Sequence, residues 1–278
     1  MVASVLAVGA GVFGSLIGSF LNVVIFRVPA GRSIVSPPSA CGSCGAAIRP
    51  FDNVPVLSWL VLRGKCRDCR TPISARYPLV ELGTALFFAG VAWFLFAGLR
   101  VGASPAIVNT VATVLMLVAF LYFASISVAL ALIDLDTHRL PNSIVLPAYP
   151  VATVLLTAAA LFASEPERLV TALAGGVGLF LLYLAMASLY RGGMGFGDVK
   201  LAGVIGLYLG WLGWGPLAVG AFGAFLLGGL FSLILVLTRG ATGRTAIPFG
   251  PWMIIGAWLG IFAGEQIATA YLQLFGLA

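Results

Sequence analysis

Two kinds of side chain in this sequence could do chemistry at short range: four cysteines in matched pairs, and a few acids set among apolar residues. The cysteines run Cys41-Gly-Ser-Cys44 and Cys66-Arg-Asp-Cys69, with 21 residues between the pairs. Each C-x-x-C can offer two thiolates to one ion, and two such pairs complete a tetrahedral four-sulfur site. The competing readings are two disulfides or four unrelated thiols. Matched spacing argues against unrelated thiols, and a reducing cytoplasmic face argues against disulfides. The expectation is a structural Zn²⁺ on Cys41, Cys44, Cys66 and Cys69. The single histidine, His138, is distant in sequence, so the metal is expected to fold a loop too small for its own core rather than to catalyse.

Of the nine acidic residues, Asp134, Asp136 and Asp198 stand at the edges of apolar stretches. A carboxylate at the mouth of a membrane-spanning segment is costly and by default marks a functional site. Asp198 lies in Gly192-Gly-Met-Gly-Phe-Gly-Asp198-Val-Lys200, where four of the six preceding residues are glycine and can let another chain approach the backbone. Asp134 lies in Ala131-Leu-Ile-Asp134-Leu-Asp136-Thr-His138-Arg139-Leu-Pro141-Asn142 and is the deeper acid of its pair. Residues two apart on a helix do not share a face. Asp134 is therefore the expected partner of Asp198, and Asp136 is read as a helix-end acid at the interface.

Two carboxylates meeting in a low-dielectric site share one proton. Aspartyl proteolysis needs that state: one acid activates water as general base while the other polarises the peptide carbonyl. Other hydrolase signatures are missing, with no H-E-x-x-H and no G-x-S-x-G in the chain. On these residues alone three alternatives stay open. The acids could snorkel at helix ends, they could form the relay of a proton-coupled transporter, or the chain could be a scaffold whose metal domain binds partners.

The elements that must position these residues follow from composition. The 278 residues are 61% hydrophobic and 9% charged, which excludes a soluble globular domain. The fold class is an all-α polytopic membrane protein of about eight transmembrane helices, with a small zinc-binding cytoplasmic domain between the first two. Hydropathy places spans near residues 3–26, 79–98, 106–133, 144–163, 169–190, 200–214, 216–238 and 248–275. The first has no charged n-region and no cleavage site, so it reads as a retained span. The domain division is 1–26 as first helix, 27–78 as cysteine domain and 79–278 as the protease core.

The interval from Arg27 to Arg76 holds all four cysteines and eight of the fifteen Lys/Arg, and the positive-inside rule makes it cytoplasmic. The same scheme sets both termini outside, Arg139, Arg191, Lys200, Arg239 and Arg244 inside, and Arg100 and Arg168 outside. It brings Asp134 and Asp198 to one face. The formal net charge of +6 is explained by orientation and anionic lipid, so no nucleic-acid partner is expected. Glycines from Gly175 to Gly229 read as close helix packing.

Five stretches, in order, resemble the bacterial prepilin peptidases, the type IV leader peptidase family. They are Gly18-Ser-Phe-Leu-Asn22-Val-Val-Ile25-x-Arg27-x-Pro29; the cysteine domain with Asn53-Val-Pro-Val-Leu-Ser-Trp59-Leu, Arg63-Gly-Lys-Cys66-x-x-Cys69 and Ile73-Ser-x-Arg76-Tyr-Pro-Leu-Val-Glu81; Ile133-Asp134 with Leu140-Pro141-Asn142; Gly195-x-Gly197-Asp198-x-Lys200-Leu201; and Ile247-Pro-Phe-Gly-Pro251. The resemblance implies an intramembrane aspartyl protease of the bacterial inner membrane. Its implied substrates are type IV prepilins or pseudopilins, cut after a glycine at the cytoplasmic face, with Asp134 and Asp198 as catalytic acids. It also implies N-methylation of the new amino terminus with S-adenosylmethionine, an activity that rests on the resemblance alone. Outside the dyad, Arg27, Arg76 and Lys200 read as lipid-headgroup anchors, and Glu81 as either a methylation residue or a salt-bridge partner within the cysteine domain.

Overall fold

The computed structural model describes residues 2–102, 110–189, 194–239 and 248–277. Gly192, Gly193, Arg191, Arg244 and Ile247, which the motifs and charge pattern single out, lie outside the described residues. The described chain is helical: α1 (Val2–Arg27), a 3-10 turn (Pro50–Asn53), α2 (Leu57–Val61), α3 (Arg76–Gly102), α4 (Thr110–Thr137), α5 (Asn142–Ala163), α6 (Glu167–Leu189), α7 (Phe196–Leu212), α8 (Trp214–Arg239) and α9 (Gly250–Leu274). Among the described residues, seven helices are long and apolar enough to cross a membrane, so this is a polytopic membrane protein. The eighth expected span, α7, has 17 residues, about 25 Å at 1.5 Å per residue, short of the ~30 Å hydrocarbon core.

The chain folds as two compact units: α1 to α3 with residues 120–129 of α4, and the rest of α4 with α5 to α9. In the first unit α1 lies antiparallel on α3. A Cβ added to Gly14 would stand 2.8 Å from the Thr84 carbonyl oxygen, and one on Gly18 would stand 2.7 Å from the Glu81 Cα. Asn22 at the foot of α1 donates to the Tyr77 carbonyl at 3.2 Å.

The second unit is built around α7, which is buried along nearly its whole length, from Val199 to Trp211. Two hydrogen bonds fix it to its neighbours: Tyr208 Oη donates to the Ala119 carbonyl at 3.1 Å and Trp211 Nε1 to the Leu156 carbonyl at 3.3 Å. The α6–α7 and α8–α9 pairs approach backbone to backbone. A Cβ on Gly175 would meet the Gly206 carbonyl oxygen at 2.5 Å, and one on Gly256 would meet the Ala224 nitrogen at 2.5 Å. Small residues allow this approach, and dispersion is gained along the whole seam. Gly178 and Gly229 have nothing within 4 Å of the site a Cβ would take, so these two glycines do not serve packing.

This contrast can be tested by thermal unfolding in detergent. Gly206→Val forces backbone against backbone and should cost about 1–3 kcal/mol, lowering the midpoint by several degrees. Gly178→Ala projects into open space within a helix and should leave it level or raise it, by up to about 1 kcal/mol.

Candidate active site and metal centre

Asp134 sits in the last turn of α4, where it is only 5% exposed. α4 ends just beyond it at His138, a left-handed residue (φ 51°) whose N–H donates to the Asp134 carbonyl at 2.8 Å. Pro141 then supplies the extended residue before α5. The Asp134 carboxylate is held from a distant part of the chain: its Oδ2 accepts the Gly250 N–H at 3.0 Å. Gly250 opens α9, so the acid lies at a helix N-terminus, where free N–H groups and the helix dipole favour negative charge. A Cβ on Gly250 would stand 2.8 Å from that Oδ2 and 3.3 Å from Leu140 Cδ2. Glycine is needed here because the acid comes up against the backbone.

Asp198 occupies the first turn of α7. Its Oδ2 accepts the Gly195 N–H at 3.1 Å, while its own N–H donates to the Gly195 carbonyl at 3.1 Å. This is half of a capping box, with glycine at the cap. α7 therefore begins at Phe196, four residues before the span expected from 200. Leu140 fills the gap between the two acid-bearing turns: a Cβ on Gly197 would stand 2.9 Å from Leu140 Cβ, and the far end of the same side chain reaches Gly250. The two carboxylates are within electrostatic range of one another. Asp136 is exposed and lies off this face of α4.

Lys200, expected as a lipid anchor, is tied inward. Its Nζ donates to Asn142 Oδ1 at 2.9 Å and lies 4.7 Å from the centre of the Phe196 ring. Its carbonyl accepts the Tyr149 hydroxyl at 2.6 Å. The motif Leu140-Pro141-Asn142 thus meets the Gly-x-Gly-Asp turn at both its leucine and its asparagine. Gly250 and Leu140 contact the acid-bearing turns without carrying a reactive group of their own. Their signal was invisible because both act through a missing or an apolar side chain.

The four cysteines converge, their sulfurs all within 4.8 Å of one another. Each pair closes in the same way. The Cys41 N–H donates to Ala46 and the Cys66 N–H to Thr71, and isolated bridges Ala40–Ala47 and Lys65–Pro72 seal the two turns. The Cys41 and Cys69 sulfurs are 3.7 Å apart, close to the edge of a tetrahedron with metal–sulfur bonds of about 2.3 Å. The donor set therefore fits a four-thiolate metal. Backbone N–H groups of Cys44 and Ser43 hold the Cys41 thiol below the ordinary cysteine range, and Thr71, through its hydroxyl and then its N–H, brings Cys69 down to about 6. Thiolate is the ligating form.

The cysteine turns are pinned by neighbours. Trp59 Nε1 donates to the Ile73 carbonyl at 3.1 Å, and Arg67 Nε donates to Asp52 at 2.8 Å and holds its carboxyl below the usual range. Glu81 Oε2 accepts the N–H of Val56 at 2.7 Å, at a β-branched residue with φ of 60°. Such a conformation is costly and needs outside support. Arg27, also expected at lipid, donates to the Ser33 carbonyl at 2.9 Å.

The described chain thus combines an all-helical bundle of membrane-spanning type, in which the opening turns of α9 and α7 hold Asp134 and Asp198, with a four-cysteine cluster in its other unit. Residues 12–95 match the bacterial peptidase A24 N-terminal domain and residues 121–236 the type IV leader peptidase family. The chain is 35% identical to a Pseudomonas aeruginosa protein named prepilin leader peptidase/N-methyltransferase, over 95% of this chain and 92% of that one. It is likewise 35% identical to one from Aeromonas hydrophila, over 95% and 92%, and 33% identical to one from Bacillus subtilis, over 95% and 96%. No solved structure matches the chain. The chain belongs to the type IV leader peptidase family.

Two outcomes follow from this geometry. Cys66→Ser with Cys69→Ser should reduce bound metal, read by elemental mass spectrometry, to less than about a tenth of the parent's. Gly250→Ala presses a methyl on Asp134 and should lower peptidase turnover by about tenfold or more at a retained fold, read by cleavage and by thermal unfolding.

Proposed function

We propose that this protein is a prepilin leader peptidase that removes the leader from type IV pilin-like precursors after a glycine, using Asp134 and Asp198 as its catalytic pair. The observation carrying this reading is that both acids, from separate motifs, are held by single backbone N–H groups at helix starts on either side of Leu140. One carboxylate, ionised, takes a proton from water as that water attacks the scissile carbonyl. The other, protonated, donates to the carbonyl oxygen. Collapse of the tetrahedral species sends a proton to the departing amine and returns the pair to its shared-proton state.

The charge distribution supports cleavage on the cytoplasmic side of the bacterial inner membrane, with the cysteine domain on that side. Zinc is the ion that four thiolates in this geometry favour in a reducing compartment. Cys41, Cys44, Cys66 and Cys69 would hold it, and its contribution is to fold the domain. The relatives' names add N-methylation, which uses S-adenosylmethionine. Among the described residues there is no strand, glycine loop and helix unit to receive a nucleotide, so no step of that reaction is assigned to a residue. Membrane lipid and a pilin-like precursor are the partners this reading requires.

In detergent with a pilin precursor, Asp134→Asn and Asp198→Asn should each lower leader removal by about a thousandfold or more, while Asp136→Asn keeps most of it. Wild-type cleavage by Asp198→Asn would end the proposal. Mass analysis of the product, with S-adenosylmethionine present, reports cleavage and methylation together.

A further inference from the structure

Tyr183 is a buried polar side chain that this mechanism does not use, and it is 2% exposed. Helix register puts it beside the dyad. α6 and α7 run antiparallel with Gly175 against Gly206, so eight residues forward on α6 is level with eight residues back on α7. That pairs Tyr183 with Asp198. Its ring is seated by two others, Phe225 at 5.3 Å and Phe249 at 6.3 Å, which stand 5.6 Å from each other. Phe249 directly precedes Gly250, the residue whose N–H holds Asp134. The ring is thus fixed beside the first acid's anchor while the side chain is level with the second acid.

The hydroxyl is the unexplained part. A phenol O–H in an apolar interior normally finds an acceptor, since burying it without one is costly. Among the described residues none accepts from Tyr183. The donor end of this enclosed tyrosine is within electrostatic range of Asp198.

We propose that Tyr183 is a third catalytic residue, its neutral O–H donating to the scissile carbonyl oxygen as that oxygen turns tetrahedral beside Asp198. The phenol keeps its proton throughout and makes no bond other than this hydrogen bond. A donor aimed at charge that develops only in the transition state raises kcat and leaves substrate affinity alone. The proposal rests on Asp134 and Asp198 being the catalytic pair.

The test uses the full chain in detergent, a pilin precursor, and Y183F beside D198N. Y183F keeps the ring and removes the donor, so it should lower kcat about tenfold to a hundredfold at unchanged KM and near-parental unfolding temperature. Parental kcat, or a change in KM alone, overturns the proposal. D198N separates the two readings. If it is inactive while Y183F is fully active, only the tyrosine role falls; if it cleaves normally, the dyad falls first. Should Y183F be unstable, constants that do not depend on active fraction decide. The Ki of a substrate peptide with a hydroxyl-bearing tetrahedral isostere at the cleavage site should then rise about tenfold while KM stays level. Equal changes in Ki and KM overturn it.

Discussion

A carboxylate removed from water must be given N–H groups or it will not stay charged, and the second unit is arranged around that requirement. Asp134 and Asp198 each take one N–H, from Gly250 and Gly195, at the opening turns of α9 and α7. Helix N-termini are where unpaired donors are available in a helical membrane protein, since every interior N–H is already committed. The two acids therefore need two helices to begin at one depth, and glycine at both contact points so that backbone and carboxylate can meet. The start of α7 is set by the same need, and its other end by Gly213, whose φ of 126° stops the helix after Leu212.

Glycine supplies the rest of the arrangement by fixing helix register. Where backbones touch at Gly175–Gly206 and Gly256–Ala224, neither helix can slide without a clash. Position along the partner is then set residue by residue. Leucine-rich seams are more forgiving, because flexible side chains can repack over a shift of an ångström. A site that depends on acids from separate helices tolerates little of that.

The chemically distinctive residues were legible in the sequence. Cysteine spacing anticipated the convergence of four sulfurs, and position at span edges singled out Asp134 and Asp198, which meet the starts of α9 and α7, from Asp136, which is exposed. Seven of the eight expected spans were legible from hydropathy; α7 starts at Phe196, four residues before the expected span, and its first turn caps itself with Asp198. Gly250 was not legible, because its function is the absence of a side chain and its partner lies 116 residues away. Leu140 and Tyr183 were hidden among apolar residues of the same type, and register alone distinguishes them. Lys200 misled because a lysine at a span end has the same sequence signature whether it meets lipid or, as here, Asn142.

The first unit solves a different problem with similar means. Its cysteine domain has little apolar interior, with only Cys66 buried among its four thiols, so the turns must be held by specific bonds. Glu81 illustrates the economy of this. It was expected to pair with a cation or serve methylation, and it accepts instead the N–H of Val56, whose backbone is in a conformation that β-branched residues avoid. A carboxylate at the start of α3 thus stabilises the turn into α2, which leads to Trp59 and the second cysteine turn. Trp59, Arg67 and Glu81 thereby hold the backbone of the turns from which the four thiols converge.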